Sequence, residues 1–167
     1  MNWYAAKVKC QTERKVKTWL DEQDIENFIP FRTVLVERNG RKIKRERAIV
    51  PGLLFIRTNY QTARILPIES RIKMVYLRNF ENHQLLTVPD KQMEDFMFLL
   101  DLSESAVRVE NANLRRGDRV RVIKGDFIGI EGELIRLKGH KRVVVRLEGL
   151  FSLATTYIPS AYLEKIE

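Results

Sequence analysis

Two histidines and one cysteine are the raw material from which a nucleophilic or metal centre would be built in this chain. His83 and His140 fall in expected turns, with no Cys, Asp or Glu at the spacing that metal ligands need. There is no phosphate-cradling P-loop and no glycine-rich dinucleotide fingerprint. Cys10 reads as a small buried hydrophobe of the first strand rather than a nucleophile. These residue types argue against an enzyme, and no cofactor or metal is expected. What remains is the chemistry of charge. Arg38, Arg41, Lys42, Lys44, Arg45 and Arg47 crowd into one short stretch. Such a cluster neutralises phosphates and releases counterions, so it is a candidate nucleic-acid contact. The bland reading, a solvated hairpin whose charges keep a strand edge from aggregating, stays open beside it.

The element that must carry these cations is announced by Asn39-Gly40. This pair supplies the two positive-φ residues of a type I′ turn, so Val34–Val36 is predicted to fold back on Ile43. Around it, Trp3 to Cys10 reads as a strand with Tyr4, Ala6, Val8 and Cys10 on one face. Thr12 is the expected N-cap of a helix with Val16, Trp19 and Leu20 on its apolar stripe. Ile25 to Val36 reads as strand, bent or edge-placed by Pro30. The apolar run Ile49 to Ile56 reads as a central strand covered on both faces. Thr62 to Ile68 is expected to be a short helix cut by Pro67, and Met74 to Leu77 a strand. Pro89-Asp90 opens a helix with Met93, Phe96, Met97 and Leu100 in helical register. The first hundred residues thus form an α+β unit, an antiparallel sheet with packed helices.

Leu102 to Asn113 has no period and reads as a linker. Beyond it come Arg119–Lys124, Glu133–Lys138, Arg142–Leu147 and Ser152–Ile158, short β-rich runs separated by glycine-containing turns. That texture predicts a small all-β barrel. Hydrophobic residues at 44% and charged residues at 31% suit a globular chain, and no run approaches a membrane span. The opening residues lack a signal-peptide pattern, and a lone cysteine fits a reducing cytoplasm. The net charge of +8 points to polyanionic partners. Up to Asp101 the chain carries 18 Lys and Arg against 13 Asp and Glu, and from Leu102 onward 12 against 9.

Gly117-Asp118-Arg119-Val120-Arg121-Val122-Ile123 and Gly125-Asp126-Phe127-Ile128-Gly129-Ile130-Glu131-Gly132-Glu133-Leu134 resemble the KOW motif, carried on an SH3-like barrel. Trp3-Tyr4, the basic hairpin with Val50-Pro51-Gly52-Leu53-Leu54-Phe55-Ile56, and Val88-Pro89-Asp90 resemble the N-terminal domain of NusG-type transcription factors. The resemblance covers both parts in order and implies three segments: an N-terminal domain at 1–101, a linker at 102–113 and a KOW barrel at 114–167. Within the family, Ile25-Glu26-Asn27-Phe28-Ile29-Pro30, the stretch from Val88 to Phe96 and Arg142-Val143-Val144-Val145 with Ile158-Pro159 are most similar to the specialised branch. Those are the RfaH-like proteins, and especially the UpxY-type antiterminators of capsular polysaccharide operons.

The resemblance implies a monomeric elongation and antitermination factor that binds RNA polymerase. Trp3, Val50, Pro51, Leu53 and Phe55 match the apolar depression that takes the clamp helices of the largest subunit. Many relatives have aromatics where Val50 and Leu53 stand, and all five residues also read as core. The basic hairpin would meet upstream or non-template DNA. Phe127, Leu150 and Phe151 match loops that contact a small-subunit ribosomal protein, a termination factor or an operon-specific partner. Exposed, Phe127 would be a contact; buried, a plug for the barrel. A general NusG elongation factor and a ribosome-associated, RNA-binding KOW protein are the alternatives.

Overall fold

The computed structural model describes residues 1–70, 72–102, 108–110, 117–137, 140–147 and 150–166. They divide into two compact units, Met1–Pro89 and Asp90–Glu167.

The first unit is built on β1 (Asn2–Val8), α1 (Glu13–Glu22), β2 (Asn27–Phe28), β3 (Phe31–Arg38), β4 (Arg41–Ala48), β5 (Leu53–Thr58), α2 (Tyr60–Glu69), β6 (Met74–Tyr76) and β7 (Thr87–Val88). Its sheet runs β2-β5-β1-β6, with β7 also pairing β1. The register sets Ala5 opposite Phe55 and Lys7 opposite Leu53. Trp3 to Ala6 and Leu53 to Ile56 are all buried, so these two interior strands are covered on both faces. That is why β1 lacks the alternation expected of it. One face packs Ala6, Val8, Leu54 and Ile56 on Val16 and Leu20 of α1 and Leu66 of α2.

Four features of the first unit differ from what the sequence predicts. The central strand begins at Leu53, because Ile49 to Gly52 is spent on a turn back from the hairpin. Cys10 lies past the end of β1 and is exposed, not buried in it. Thr12 does mark the start of α1, but its hydroxyl donates to Lys9 O at 2.6 Å instead of capping the helix. Finally, α2 runs through Pro67 to Glu69. Asn59 Oδ1 accepts the Thr62 N–H at 2.8 Å and secures the other end of α2. A proline in the last turn removes only one intrahelical bond, so the helix survives it.

The second unit comprises α3 (Asp90–Asp101), β8 (Arg108–Glu110), β9 (Arg119–Val122), β10 (Glu131–Leu137), β11 (His140–Leu147), β12 (Phe151–Ala154), a 3-10 turn at Ser160–Tyr162 and β13 (Leu163–Lys165). The strands form an antiparallel sheet in the order β13-β9-β10-β11-β12-β8. Val120, Val122, Ile130, Val143, Val145, Leu147 and Leu153 fill its core. At Gly132 an added Cβ would sit 2.4 Å from Val144 O, so only glycine lets β10 lie this close to β11. His140 belongs to β11 rather than to a turn, and β8 falls within the stretch expected to be a linker.

The helix α3 also differs from expectation. Its buried side chains are Met93, Asp95, Phe96 and Leu99, while Met97 and Leu100 are half-buried. Asp95 is the reason for the rotated stripe. Its carboxylate takes Lys91 Nζ at 2.6 Å and the Glu131 N–H at 3.2 Å, and Lys91 Nζ also donates to Gly129 O at 2.9 Å. Burial, the largest influence, raises the Asp95 pKa, while the bonds to Lys91 and the Glu131 amide pull it back. By contact α3 therefore groups with the C-terminal strands.

Candidate nucleic-acid interface

The hairpin forms as the Asn-Gly pair dictates. Asn39 and Gly40 have φ of 51° and 72°, and β3 and β4 make a two-stranded sheet of their own. Val36 lies opposite Ile43, Val34 opposite Arg45, Arg32 opposite Arg47 and Arg38 opposite Arg41. Directly opposed residues point to the same side, so this register sorts the charges. One face carries Arg32, Arg38, Arg41, Arg45 and Arg47 around Val34, Val36 and Ile43. The other carries Phe31, Thr33, Leu35 and Ala48, with Glu37, Glu46, Lys42 and Lys44. Every arginine of the hairpin is on the first face and every carboxylate on the second.

Elementary electrostatics makes this sorting informative. Glu37 opposite Lys42 is complementary, whereas Arg38 opposite Arg41 and Arg32 opposite Arg47 set like charges side by side, which is destabilising. A hairpin charged only for solubility has no reason to accept both repulsive pairs on one side. A polyanion lying along that side would turn the repulsion into attraction. Arginines two apart on a strand stand roughly 7 Å apart, and their planar forks match phosphate oxygens.

The foot of the hairpin is fixed to the domain through its other face. Glu46 is ion-paired with Arg14 of α1, and the Arg14 guanidinium lies 5.6 Å from the Phe31 ring centroid. Ile49 N–H donates to Pro30 O at 2.8 Å. Buried Glu13 accepts the Gly52 N–H through Oε1 at 2.8 Å, tying the start of α1 to the turn that leaves the hairpin. A cleft of about 580 Å³ results at the foot, lined by Arg45, Arg47, Pro51 and Cys10 among others.

The residues singled out from the sequence therefore separate into groups. Arg38, Arg41, Arg45 and Arg47 share a face, and Lys42 and Lys44 point to the opposite one. Arg32 was missed because it precedes the obvious cluster, although the two-residue turn already pairs it with Arg47. Trp3, Leu53 and Phe55 lie on one face of β1 and β5 and are 4%, 1% and 0% exposed, so all three are core. Val50 is half-buried and Pro51 exposed in the turn. Phe127 is buried, which makes it the plug, and the exposed apolar side chain of its loop is Ile128. Leu150 is half-buried, its N–H donating to Leu147 O at 3.0 Å. Phe151 opens β12, and its side chain lies outside the described residues.

Known proteins place the chain. The "Transcription termination/antitermination protein NusG" of Streptococcus pyogenes serotypes M3 and M1 is 23% identical over 139 residues, covering 83% of this chain and 77% of the relative. Two solved structures align over 99% of this chain and 97% of their own. One is described as "Domain interaction in Thermotoga maritima NusG", with 20% identity and a TM-score of 0.45; the other is the MjSpt4:Spt5 complex in conformation B, with 14% and 0.28. A family model described as "NusG: Transcription termination factor nusG" matches residues 1–97, more than half of the sequence. The chain is a member of the NusG family.

Proposed function

We propose that this protein is an elongation and antitermination factor that binds RNA polymerase and acts by contact rather than catalysis. The arginine face of the hairpin is its DNA-binding surface, and the single observation that carries this is the segregation of five arginines from both carboxylates. Upstream or non-template DNA is the polyanion, held through phosphate contacts that are strongly salt-dependent.

The polymerase contact is with the clamp helices of the largest subunit. Val50 and Pro51, at the turn beside the hairpin foot, are the accessible members of the candidate set. Trp3, Leu53 and Phe55 give that surface its rigid backing, and they join it only if their cover is removed. Holding both the clamp and the DNA disfavours clamp opening and thereby pausing and termination. The C-terminal sheet acts as the KOW barrel. Ile128, with Leu150 and Phe151, faces a ribosomal protein, a termination factor or an operon-specific partner, and the cytoplasm is the site of action. Likeness to the RfaH and UpxY branch supports a role confined to polysaccharide operons. The streptococcal relatives named NusG support a general factor instead.

Single-round transcription by the host polymerase tests the whole reading, on two templates sharing a pause and a terminator but differing in leader. A specialised factor raises read-through only with a polysaccharide-operon leader, and a general factor changes both alike. An Arg41→Glu/Arg45→Glu variant is expected to lose most of the effect, and Val50→Asp to lose polymerase binding. Leu53→Asp is a poor probe, since a carboxylate at a fully buried strand position unfolds the sheet. No effect of the wild-type protein on either template defeats the proposal.

A further inference from the structure

A second feature of the first unit lies apart from the hairpin and depends on none of its roles. A cavity of about 490 Å³ opens between the start of β1, the first turns of α2 and the segment from Arg78 to Thr87. Its lining includes Arg64, Arg78, Tyr60, His83 and the amides of Asn2 and Gln84, and among the described residues it includes no Asp or Glu. The volume falls within the range of small-molecule sites.

The lining is built and held. Asn59 caps α2, setting the turn from which Tyr60 and Arg64 project. The Arg64 guanidinium stands 5.9 Å from the Tyr60 ring centroid, and Tyr60 remains 57% exposed. On the opposite wall the loop is laced to itself. Arg78 Nη1 donates to His83 O at 2.8 Å, Asn79 N–H to Gln84 O at 2.9 Å and His83 N–H to Asn79 O at 3.0 Å. Asn79 Oδ1 also accepts the Glu81 N–H at 2.8 Å, which holds Phe80 at the loop tip with 88% of its surface in solvent.

Each part of this lining asks for a different part of one ligand. Two guanidinium groups facing a cavity with no carboxylate among the described lining residues ask for an anion, and their forked geometry suits phosphate. An exposed tyrosine ring already carrying an arginine on it offers its remaining surface to a flat aromatic group. Side-chain amides supply paired donor and acceptor atoms for the edge of such a group. We propose that this cavity binds a nucleotide unit, its base against Tyr60, its edge met by Asn2 and Gln84, and its phosphate between Arg64 and Arg78. The unit is either a free nucleotide or one residue of a single-stranded nucleic acid, and stacking with cation contacts is how proteins hold the latter.

Calorimetric titration of the full chain decides, in the Arg41→Glu/Arg45→Glu background so that the hairpin contributes little. The titrants are AMP, GMP, CMP and UMP, short oligo(dT) and oligo(U), adenosine and inorganic phosphate. At least one monophosphate or oligonucleotide is expected to bind saturably. Both Arg64→Gln and Tyr60→Ala, at exposed side chains, should weaken it roughly tenfold or more with unchanged thermal melts. Binding of monophosphates assigns the free ligand, and binding of oligonucleotides alone assigns the strand. Inorganic phosphate binding as tightly as every nucleotide would reduce the cavity to an anion site and overturn the assignment. So would the absence of any binding, or binding that neither variant weakens.

Discussion

At the scale of single residues, the buried polar groups are the informative ones. Glu13 and Asp95 are each almost wholly enclosed, and each is there to satisfy a backbone N–H in a neighbouring segment, at Gly52 and Glu131 respectively. For Asp95 the consequence is a pH dependence whose sign can be worked out. Burial raises its pKa from the ordinary 3.8, so the native state holds the proton over a range where the unfolded chain has released it. Its contribution to stability is therefore fully present below the ordinary carboxylate range and declines as pH rises through the raised value. An Asp95→Asn variant keeps an acceptor oxygen and does not titrate. Thermal melts from pH 7 down to pH 4 should show the wild type gaining stability relative to that variant as the pH falls. A difference that stays flat, or moves the other way, would show that Lys91 outweighs burial.

At the scale of the element, the hairpin is where local sequence and function meet most directly. Its turn, register and face assignment follow from Asn39-Gly40 and a period of two. The same register exposes a conflict between stability and binding, because Arg38 and Arg41 oppose each other. Replacing Arg41 by Glu converts a repulsive cross-strand pair into an attractive one, a change of about 0.5–1 kcal/mol in favour of the hairpin. Arg41→Glu should therefore melt no lower than wild type while binding single- and double-stranded DNA more weakly, as read by fluorescence anisotropy at low salt. If stability and affinity both fall, the arginine face is structural. In α3, by contrast, the helix itself was legible from Pro89-Asp90 and its apolar spacing. Which stripe faced inward was not. Asp95 could turn inward only because Lys91 and the Glu131 amide await it, and nothing local to the helix specifies the second of these.

At the scale of the molecule, the charge is far less evenly shared than a cut at Asp101 suggests. Residues 1–89 carry 17 Lys and Arg against 9 Asp and Glu, and residues 90–167 carry 13 against 13. The whole excess of +8 thus belongs to the first unit, and the second is neutral. Within the second unit the acidic α3 segment, residues 90–101 with 1 Lys against 4 Asp and Glu, offsets the +3 of residues 102–167, so the larger excess, and with it the stronger polyanion site, lies on the first unit. This distribution also predicts where salt sensitivity resides. With four or five arginines on phosphates, the plot of log affinity for duplex DNA against log salt should have a slope of about −4. Arg41→Glu/Arg45→Glu should cut that slope by at least half, and a charge-reversing change on the second unit, Lys124→Glu, should leave it unchanged. Equal effects from both would mean that the field of the whole protein, not the hairpin, governs binding.

The sequence by itself determined the hairpin with its turn, the apolar interior strand, the helix starts near Thr12 and Pro89, and the β-rich second half. Each of these rests on interactions between residues close in the chain, where spacing and turn chemistry suffice. Tertiary structure alone decided which apolar residues are core and which are surface. Trp3, Leu53 and Phe55 look no different in sequence from Pro51 and Ile128, yet the first three are enclosed and the last two are exposed. Cys10 was misplaced for the same reason, since the chain turns away one residue past β1. Burial is set by what packs from elsewhere in the chain, and single-sequence periodicity reports only that a side chain is apolar. The cavity between α2 and the Arg78 loop belongs to the same class. Tyr60, Arg64, Arg78 and Asn2 are unremarkable where they stand in the sequence, and they become a site only when the sheet brings its strand ends together.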